Sequence, residues 1–530
     1  METVRIATRG SELALWQARH VQQLLGSVGL QSELVIIKTQ GDRIQDLSLD
    51  KLEGKGFFTK EIEEALLNGT ADLAVHSHKD LPTEQPAGLV IAAVSDREDP
   101  SELLIIRQSA VDPKLKFQLK RNAIVGTSSA RRKCQLLSFR PDVELKDLRG
   151  NVPTRVRKLH DGLYDAILIA AAGVERLALD LSDFQVEKLD PREFIPAPAQ
   201  GVLALQVRDK DMVLREKVAA LGNDEVARTI GLERSVLNLF HGGCQMPVGV
   251  FAEYDEEKET YRIRASRSER WDSLPVSVFL ESRNPVTLPQ HTVERIRGIH
   301  PASVFITRNV SDDGHFRKVL EGNGFKVDGF PLIETKILPF RELPACDWIF
   351  FSSKNAVRYF FRQQPVLSGQ RFACIGKATA EALRAAGHRA EFIGSQSDTR
   401  MAGKQFANLA GSRRVLFPQA KGSMRSIQQQ FVRKDQVIDL AVYETIKREN
   451  EAVPAAEIMV FTSPSNVEAF FEKHTISARQ AVVAMGEATA AALREHRILH
   501  PGMPDMFDEA GLARAVFSVS CRLAEAGENG

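Results

Sequence analysis

Cysteine is scarce in this chain. Five are scattered over 530 residues, at positions 134, 244, 346, 374 and 521. An odd number at such spacing builds no disulfide framework, and it predicts reduced thiols in a cytoplasmic setting. No two cysteines stand at zinc-ligand spacing. The close histidine pairs, His76 with His78 and His496 with His500, are far in sequence from Cys244, so no metal centre is expected. An excess of one charge is also missing. The formal net charge is +1, which gives no overall field to recruit nucleic acid or a membrane surface. No apolar run approaches the ~18 residues of a membrane span. The opening METVRIATRG enters a strand pattern with no apolar signal core,. These absences lead to the expectation of a soluble cytoplasmic monomer acting on small molecules, with no nucleic-acid or membrane partner.

What is present is ordinary globular composition, 43% hydrophobic and 26% charged,. At roughly 150 residues per domain the length predicts three or four domains. The most unusual stretch is HGGCQMP at 241–247. A helix is predicted just before it, with Asn223 as cap, Asp224 and Glu225 in the first turn, and Leu232, Val236 and Leu239 at helical spacing,. Gly242 and Gly243 end that helix and leave Cys244 on a loop with room around it. A thiol at a helix C-terminus lacks the dipole that activates nucleophilic cysteines. It suits a permanent thioether anchor better than a turnover nucleophile, with a buried thiol as the plainer reading.

The first 217 residues alternate strand and helix patterns, which predicts α/β structure with ligands at strand ends,. Ser11 can cap the first helix. The glycine-punctuated stretch 41–56 reads as a mobile loop,. Lys79-Asp80 falls at a strand end. It is either a solvated turn or a carboxylate held in a cleft beside a cation, able to stabilise a cationic intermediate or pass protons. GTSSARR supplies Thr127, Ser128, Ser129, Arg131 and Arg132, a strand–loop–helix anion site,. LRGNVPTR adds Arg149 and Arg155, and AAGVERL adds Arg176. Five arginines at element ends exceed the needs of a phosphate and suggest a ligand with several carboxylates. The three prolines within 190–200 read as a stiff crossing between domains, followed by a strand that rejoins the first sheet,.

Taken together, IATRGSELALWQA, KTQGD, GKGFFTKEIEEALL, ADLAVHSHKD, VGTSSARR, LRGNVPTR, PAPAQG and GGCQMPVG resemble the porphobilinogen deaminase (hydroxymethylbilane synthase) family over residues 4–281. Departures are small: Gln40 stands where arginine is frequent, and Pro153 where glycine is common. The resemblance implies two periplasmic-binding-protein-like α/β domains (1–96 with 196–217, and 97–195) and a small α+β domain (218–285). It implies a dipyrromethane cofactor on Cys244 through a thioether, with Asp80 as the catalytic carboxylate. Lys79, Thr127, Ser129, Arg131, Arg132, Arg149 and Arg155 are implied cofactor contacts. Arg9, Ser11, Lys55, Phe58, Arg176 and Gln200 are implied on the substrate side. Porphobilinogen carries an acetate and a propionate, which suits the arginines. Loss of ammonia leaves a cation that Asp80 can face.

After a linker-like stretch at 286–301 the chain repeats itself. DWIFFSSKNAV at 347–357 returns as EIMVFTSPSNV at 457–467, and FACIGKATAEAL at 372–383 returns as VVAMGEATAAAL at 482–493, both at an offset of 110. A shared offset predicts a duplicated strand–turn–helix design. Ser353, Thr379, Ser463 and Thr489 fall at the turns, either as helix caps or as donors lining a cleft for an acidic ligand,. ITR, PLIET, FFSSKNAV, IGKATA, LFPQAKG, VYET, FTSPSNV and MGEATA, in this order, resemble uroporphyrinogen-III synthase. That implies two similar flavodoxin-like α/β domains (302–336 with 447–525, and 337–446), joined by two strands. Tyr443 of VYET matches a tyrosine considered for assisting loss of the substrate's terminal hydroxyl. A solute-binding or sensor protein would share the paired domains, but would need an export signal or a DNA-binding element and no Cys244. A nucleic-acid binder would need basic excess and stacking aromatics among the arginines.

Overall fold

The computed structural model describes residues 3–39, 59–241, 246–394, 399–448 and 452–528. Its first helix, Glu12–Ser27, begins where Ser11 Oγ accepts the Ala14 N–H at 3.4 Å, and it buries Ala18, Val21 and Leu25 along one stripe. That stripe packs on a five-stranded sheet ordered Ser32–Ile36, Val4–Thr8, Leu73–Ser77, Leu203–Arg208, Leu89–Val94. The first three strands are parallel; Leu203–Arg208 runs antiparallel to both its neighbours. A second sheet repeats this pattern in the order Glu144–Lys146, Ile124–Gly126, Ala166–Ala170, Glu102–Arg107, Phe184–Leu189. Here Glu102–Arg107 is the antiparallel strand. In each sheet the antiparallel strand is the one arriving from the other sheet.

Two chain crossings, 95–101 and 190–202, therefore join the sheets, and they are stitched together. Ser95 N–H donates to the Leu203 carbonyl at 3.0 Å and Glu98 N–H to that of Gly201 at 3.2 Å. Gly201 has φ of 92°, and a Cβ there would lie 2.3 Å from the Glu98 carbonyl oxygen, so only glycine lets the crossings touch,. Glu233, with no solvent exposure, locks the junction. Its carboxylate takes Arg97 at 2.7 and 3.2 Å, Ala199 N–H at 2.6 Å and Ala252 N–H at 2.8 Å.

Glu233 lies on the helix Asp224–Leu239, where Asn223 caps as its sequence predicts, accepting from the N–H groups of Glu225 and Val226. This helix backs a three-stranded antiparallel sheet, Val248–Asp255, Thr260–Arg267 and Val276–Ser282. The stretch read as a linker carries a helix, Leu288–Arg297, with Pro289 in its first turn and Leu288, Val293 and Ile296 in the core of this sheet.

The repeat is visible as structure. Strand Trp348–Phe351 and helix Lys354–Phe361 recur 110 residues on as Ile458–Phe461 and Pro464–Phe471. Arg371–Cys374 and Lys377–Ala385 recur as Ala481–Ala484 and Glu487–Glu495. The strands enter two sheets, one of four parallel strands (Lys326–Gly329, Ser303–Ile306, Ile458–Phe461, Ala481–Ala484) and one of six. At the edge of the six-stranded sheet Ile333–Ile337 runs antiparallel to Val437–Lys447.

Contacts divide the chain into two compact units, Met1–Gly329 with Pro454–Thr462 and Ile476–Gly530, and Phe330–Val453 with Ser463–Thr475. The helix Pro464–Phe471, expected with the four-stranded sheet, groups instead with the six-stranded one, where Asn466 Oδ1 accepts the Leu332 N–H at 3.0 Å.

In the first unit the C-terminal helix Glu509–Glu528 joins the four-stranded sheet to the three-stranded one. Val276 and Ile299 touch both cores. Buried Asp505 accepts from Arg264 Nε at 2.6 Å and from Arg514 at 2.8 and 3.0 Å. Burial opposes its charge, but Arg514 and Arg264 outweigh burial and hold its carboxyl below the usual range. Replacing Asp505 by alanine leaves two buried guanidiniums without their shared counter-ion, and removing one partner of a buried pair typically costs about 3–5 kcal/mol. Asp505→Ala should lower stability by that order in chemical denaturation. A change under about 1 kcal/mol would mean that water or Glu253 compensates.

Candidate active site

Parallel strands deliver their C-terminal ends to one region. Strand Val4–Thr8 ends at Arg9; Leu73–Ser77 runs into the single turn His78–Asp80, which carries Lys79 and Asp80. The turn is braced from two sides. Gln17 Nε2 donates to Ser77 Oγ at 2.9 Å, and Arg234, on the helix leading to Cys244, donates to the carbonyls of His78, Leu81 and Pro82. Lys79 Nζ donates to Gln200 Oε1 at 3.2 Å, and Gln200 in turn donates to the Pro100 carbonyl at 2.7 Å. Lys79 is thereby tied to both crossings. Burial is the main force on it and lowers its pKa to about 8; Asp80 and Glu102 oppose this, while Arg132 and Arg131 add to it.

From the second sheet, strand Ile124–Gly126 leads to Thr127 and to the helix Ala130–Phe139. Thr127 Oγ1 accepts the Ser129 N–H at 3.3 Å, and Ser129 Oγ caps the helix by accepting the Arg132 N–H at 3.4 Å. Arg131 and Arg132 are buried and converge on Glu102, at 2.6 and 2.7 Å. Burial works against the Glu102 charge, but Arg132 and Arg131 together hold its pKa at about 2. Arg155 lies on the helix Val152–His160, which Asn151 caps. Burial lowers its pKa to about 10, with Arg132 and Arg149 adding and Asp80 opposing. Arg176 donates to the Gly201 carbonyl at 2.7 Å and lies over the Trp16 ring at 5.8 Å.

The arrangement is a positive cleft with its counter-charge left out. Among the described residues, Asp80 and Glu102 are the carboxylates that act most strongly on Lys79, Arg131 and Arg155, and Arg132 and Arg149 crowd the same cations. Three buried guanidinium nitrogens here find no hydrogen-bond partner among the described residues: Arg132 Nε, Arg149 Nη2 and Arg176 Nε. Buried N–H donors are rarely orphaned, and a water, an ion or a ligand commonly completes them. A ligand with several carboxylates fits, since it supplies planar acceptors for these donors and the missing negative charge.

Lys55, Phe58 and Cys244 lie outside the described residues. The chain is described up to His241, at φ 54°, and resumes at Met246. The described cysteines are poor reactive thiols. Burial pushes Cys134 and Cys374 up to about 12 and Cys346 to about 11, and Cys521 donates to the Arg295 carbonyl at 3.1 Å.

In the second half two of the four turn residues cap helices. Ser353 Oγ accepts the Ala356 N–H at 3.1 Å and Ser463 Oγ the Asn466 N–H at 3.3 Å, so both cap helices. Thr379 and Thr489 are buried in the first turns of their helices. Tyr443 is buried on strand Val437–Lys447, its ring stacked on Tyr359 at 5.2 Å. Sequence reasoning missed Glu102, Glu233 and Arg97. The available signal was a glutamate heading the apolar run ELLII.

Comparison with known proteins finds two families along the chain. Residues 4–216 match the family model "Porphobilinogen deaminase, dipyromethane cofactor binding domain", and 227–266 match "Porphobilinogen deaminase, C-terminal domain". Residues 314–514 match "Uroporphyrinogen-III synthase HemD". The porphobilinogen deaminase of Sulfurimonas denitrificans is 46% identical over 269 residues, 50% of this chain and 83% of that protein. That of Nitratidesulfovibrio vulgaris strain Hildenborough is 48% identical over 254 residues, 47% of this chain and 78% of that protein. Among solved structures, uroporphyrinogen-III synthetase from Helicobacter pylori 26695 aligns over 41% of this chain and 99% of its own, at 19% identity and a TM-score of 0.32.

The depressed Lys79 pKa has a kinetic signature. Activity that needs the ammonium should fall as pH rises through about 8,. Lys79→Arg, which stays charged, should remove that alkaline limb from the pH–rate profile. A limb unchanged in the variant would assign it to another group.

Proposed function

Because this chain belongs to the porphobilinogen deaminase family and carries a uroporphyrinogen-III synthase HemD region behind it, we propose that it performs two consecutive steps of tetrapyrrole synthesis. The first half joins four porphobilinogen molecules into linear hydroxymethylbilane with release of ammonia. The second half closes that product with inversion of ring D, giving uroporphyrinogen III. The observation that carries the first assignment is the set of orphaned buried donors on Arg132, Arg149 and Arg176, beside a cation excess and Asp80.

The residues fit a dipyrromethane, whose rings bear the carboxylates this cleft lacks. When bound, the group supplies the primer to which monomers are added. We assign its thioether attachment to Cys244. Arg131, Arg132, Arg149 and Arg155 take its carboxylates, with Thr127 and Ser129 shaping the turn below them. Arg9, Ser11, Arg176, Gln200, Lys55 and Phe58 serve the incoming substrate. Asp80 keeps a negative charge facing the substrate carbon from which ammonia departs, and Lys79 holds ligand carboxylates from the opposite wall. The first two sheets with their helices form the periplasmic-binding-protein-like pair (1–96 with 196–217, and 97–195), and the three-stranded sheet the cofactor-bearing domain (218–285). The sheets of four and six strands are the two flavodoxin-like lobes, with Tyr443 assisting loss of the terminal hydroxyl. Among the described residues no helix is long and apolar enough to cross a membrane. We place the enzyme in the cytoplasm as a monomer.

Fed porphobilinogen alone, the intact chain should yield mostly type III uroporphyrinogen, read as isomer ratio by chromatography after oxidation. Only type I product would mean that the second half is not an active synthase. Cys244→Ala should lack the two-pyrrole mass adduct and deaminase activity; an adduct mapped to Cys134 would overturn the attachment site. Asp80→Asn should fold, bind intermediates and turn over about 10²–10³ more slowly. Near-normal turnover would move the catalytic role elsewhere.

A further inference from the structure

Arg131 and Arg132 are consecutive in the first turn of a helix. Neighbouring helical positions point about 100° apart and do not face each other. Both guanidiniums nevertheless end on one carboxylate, Glu102, which gives one oxygen to each at 2.6 and 2.7 Å. Each is fixed at a second edge by a carbonyl: Arg131 donates to Ile195 at 3.0 Å and Arg132 to Leu168 at 3.2 Å. Glu102 itself has no solvent exposure. It heads the antiparallel strand Glu102–Arg107, directly after the first crossing, so its backbone is held by the junction between the two sheets.

At Asp505 two guanidiniums also share one carboxylate, but there Glu253 supplies a second carboxylate to Arg264 at 2.8 Å. Here one carboxylate serves two guanidiniums, so the group keeps a positive charge, and Arg132 Nε remains buried and unpartnered. We propose that Glu102 is a positioning residue of the deaminase cleft: it converges Arg131 and Arg132, fixes their planes, and leaves their remaining edges for ligand carboxylates. This assignment rests on the function proposed above and adds a member to its site. Glu102 acts through the arginines and touches no ligand. It also acts across the cleft. Among the described residues the charges acting most on Lys79 are those of Asp80, Arg132, Glu102 and Arg131, of which the two carboxylates favour its ammonium form. Loss of the Glu102 charge should therefore lower the pH at which Lys79 loses its proton.

The test compares Glu102→Gln and Glu102→Asp in the full chain. Glu102→Gln keeps the shape and removes the charge. Glu102→Asp keeps the charge, but one methylene fewer shortens the reach to both guanidiniums. Three readouts are taken: cofactor occupancy by intact mass, KM and kcat for porphobilinogen, and the alkaline limb of the pH–rate profile. Glu102→Gln should lose part of its adduct, and its alkaline limb should move to lower pH. Glu102→Asp should leave the limb in place but raise KM, with kcat/KM falling on the order of 10²-fold, as expected for misaimed binding groups. Wild-type occupancy, KM and limb in both variants would overturn the proposal. So would identical losses in both with an unmoved limb, which is the mark of simple structural damage. Should Glu102→Gln fail to fold, Glu102→Asp alone decides: wild-type KM and occupancy in that variant reject the role. If the parent chain carries no adduct and does not consume porphobilinogen, the functional reading itself fails, independently of Glu102.

Discussion

A carboxylate without access to water holds the first half together. Burying an unpaired charge costs several kcal/mol, yet Glu233 is fully buried and fully satisfied. Its partners come from the first crossing, the second crossing and the three-stranded sheet: Arg97, Ala199 and Ala252. None can leave without stranding the charge. That constraint explains how Ala199 is kept at φ 60°, a conformation that costs of order 1–3 kcal/mol for a residue with a side chain,. It also fixes the start of Glu102–Arg107 and the end of the crossing that carries Gln200, and so the floor on which Lys79 rests.

The cleft is built on the opposite principle. At the junction the charge of Glu233 is matched; between the sheets, among the described residues, cations outnumber the carboxylates Asp80 and Glu102. Such crowding raises the free energy of the empty site, and a polycarboxylate relieves it on binding. Glu102 shows how far the protein goes toward balance by itself. It neutralises enough to hold Arg131 and Arg132 in place and stops short of occupying them.

Much of this was legible in advance because it is local. The cap at Asn223, the apolar stripe of Glu12–Ser27 and the offset of 110 between strand–turn–helix units depend on spacing within a few residues or on self-similarity. The arginine set was legible by residue type and placement at element ends. The carboxylates that organise it were not, because their partners are remote. Glu102 lies 29 and 30 residues from its arginines, Arg97 is 136 from Glu233, and Arg264 is 241 from Asp505. No local period encodes such pairs. Leu288–Arg297 was misread for a different reason. Pro285 and Pro289 looked like linker composition, but proline is well tolerated in a first helical turn, where its missing N–H costs nothing,.

The helix Glu509–Glu528 packs against Val276–Ser282, a strand completed long before it in sequence. A ribosome adds roughly 5–20 residues each second, so the face of the three-stranded sheet stays bare for tens of seconds while the whole intervening stretch is made. Over the same interval Ser303–Ile306 waits for its neighbour Ile458–Phe461. The nascent chain thus carries an uncovered apolar flank and a strand paired on one edge only, with Lys326–Gly329, the kind of surface on which chaperones act.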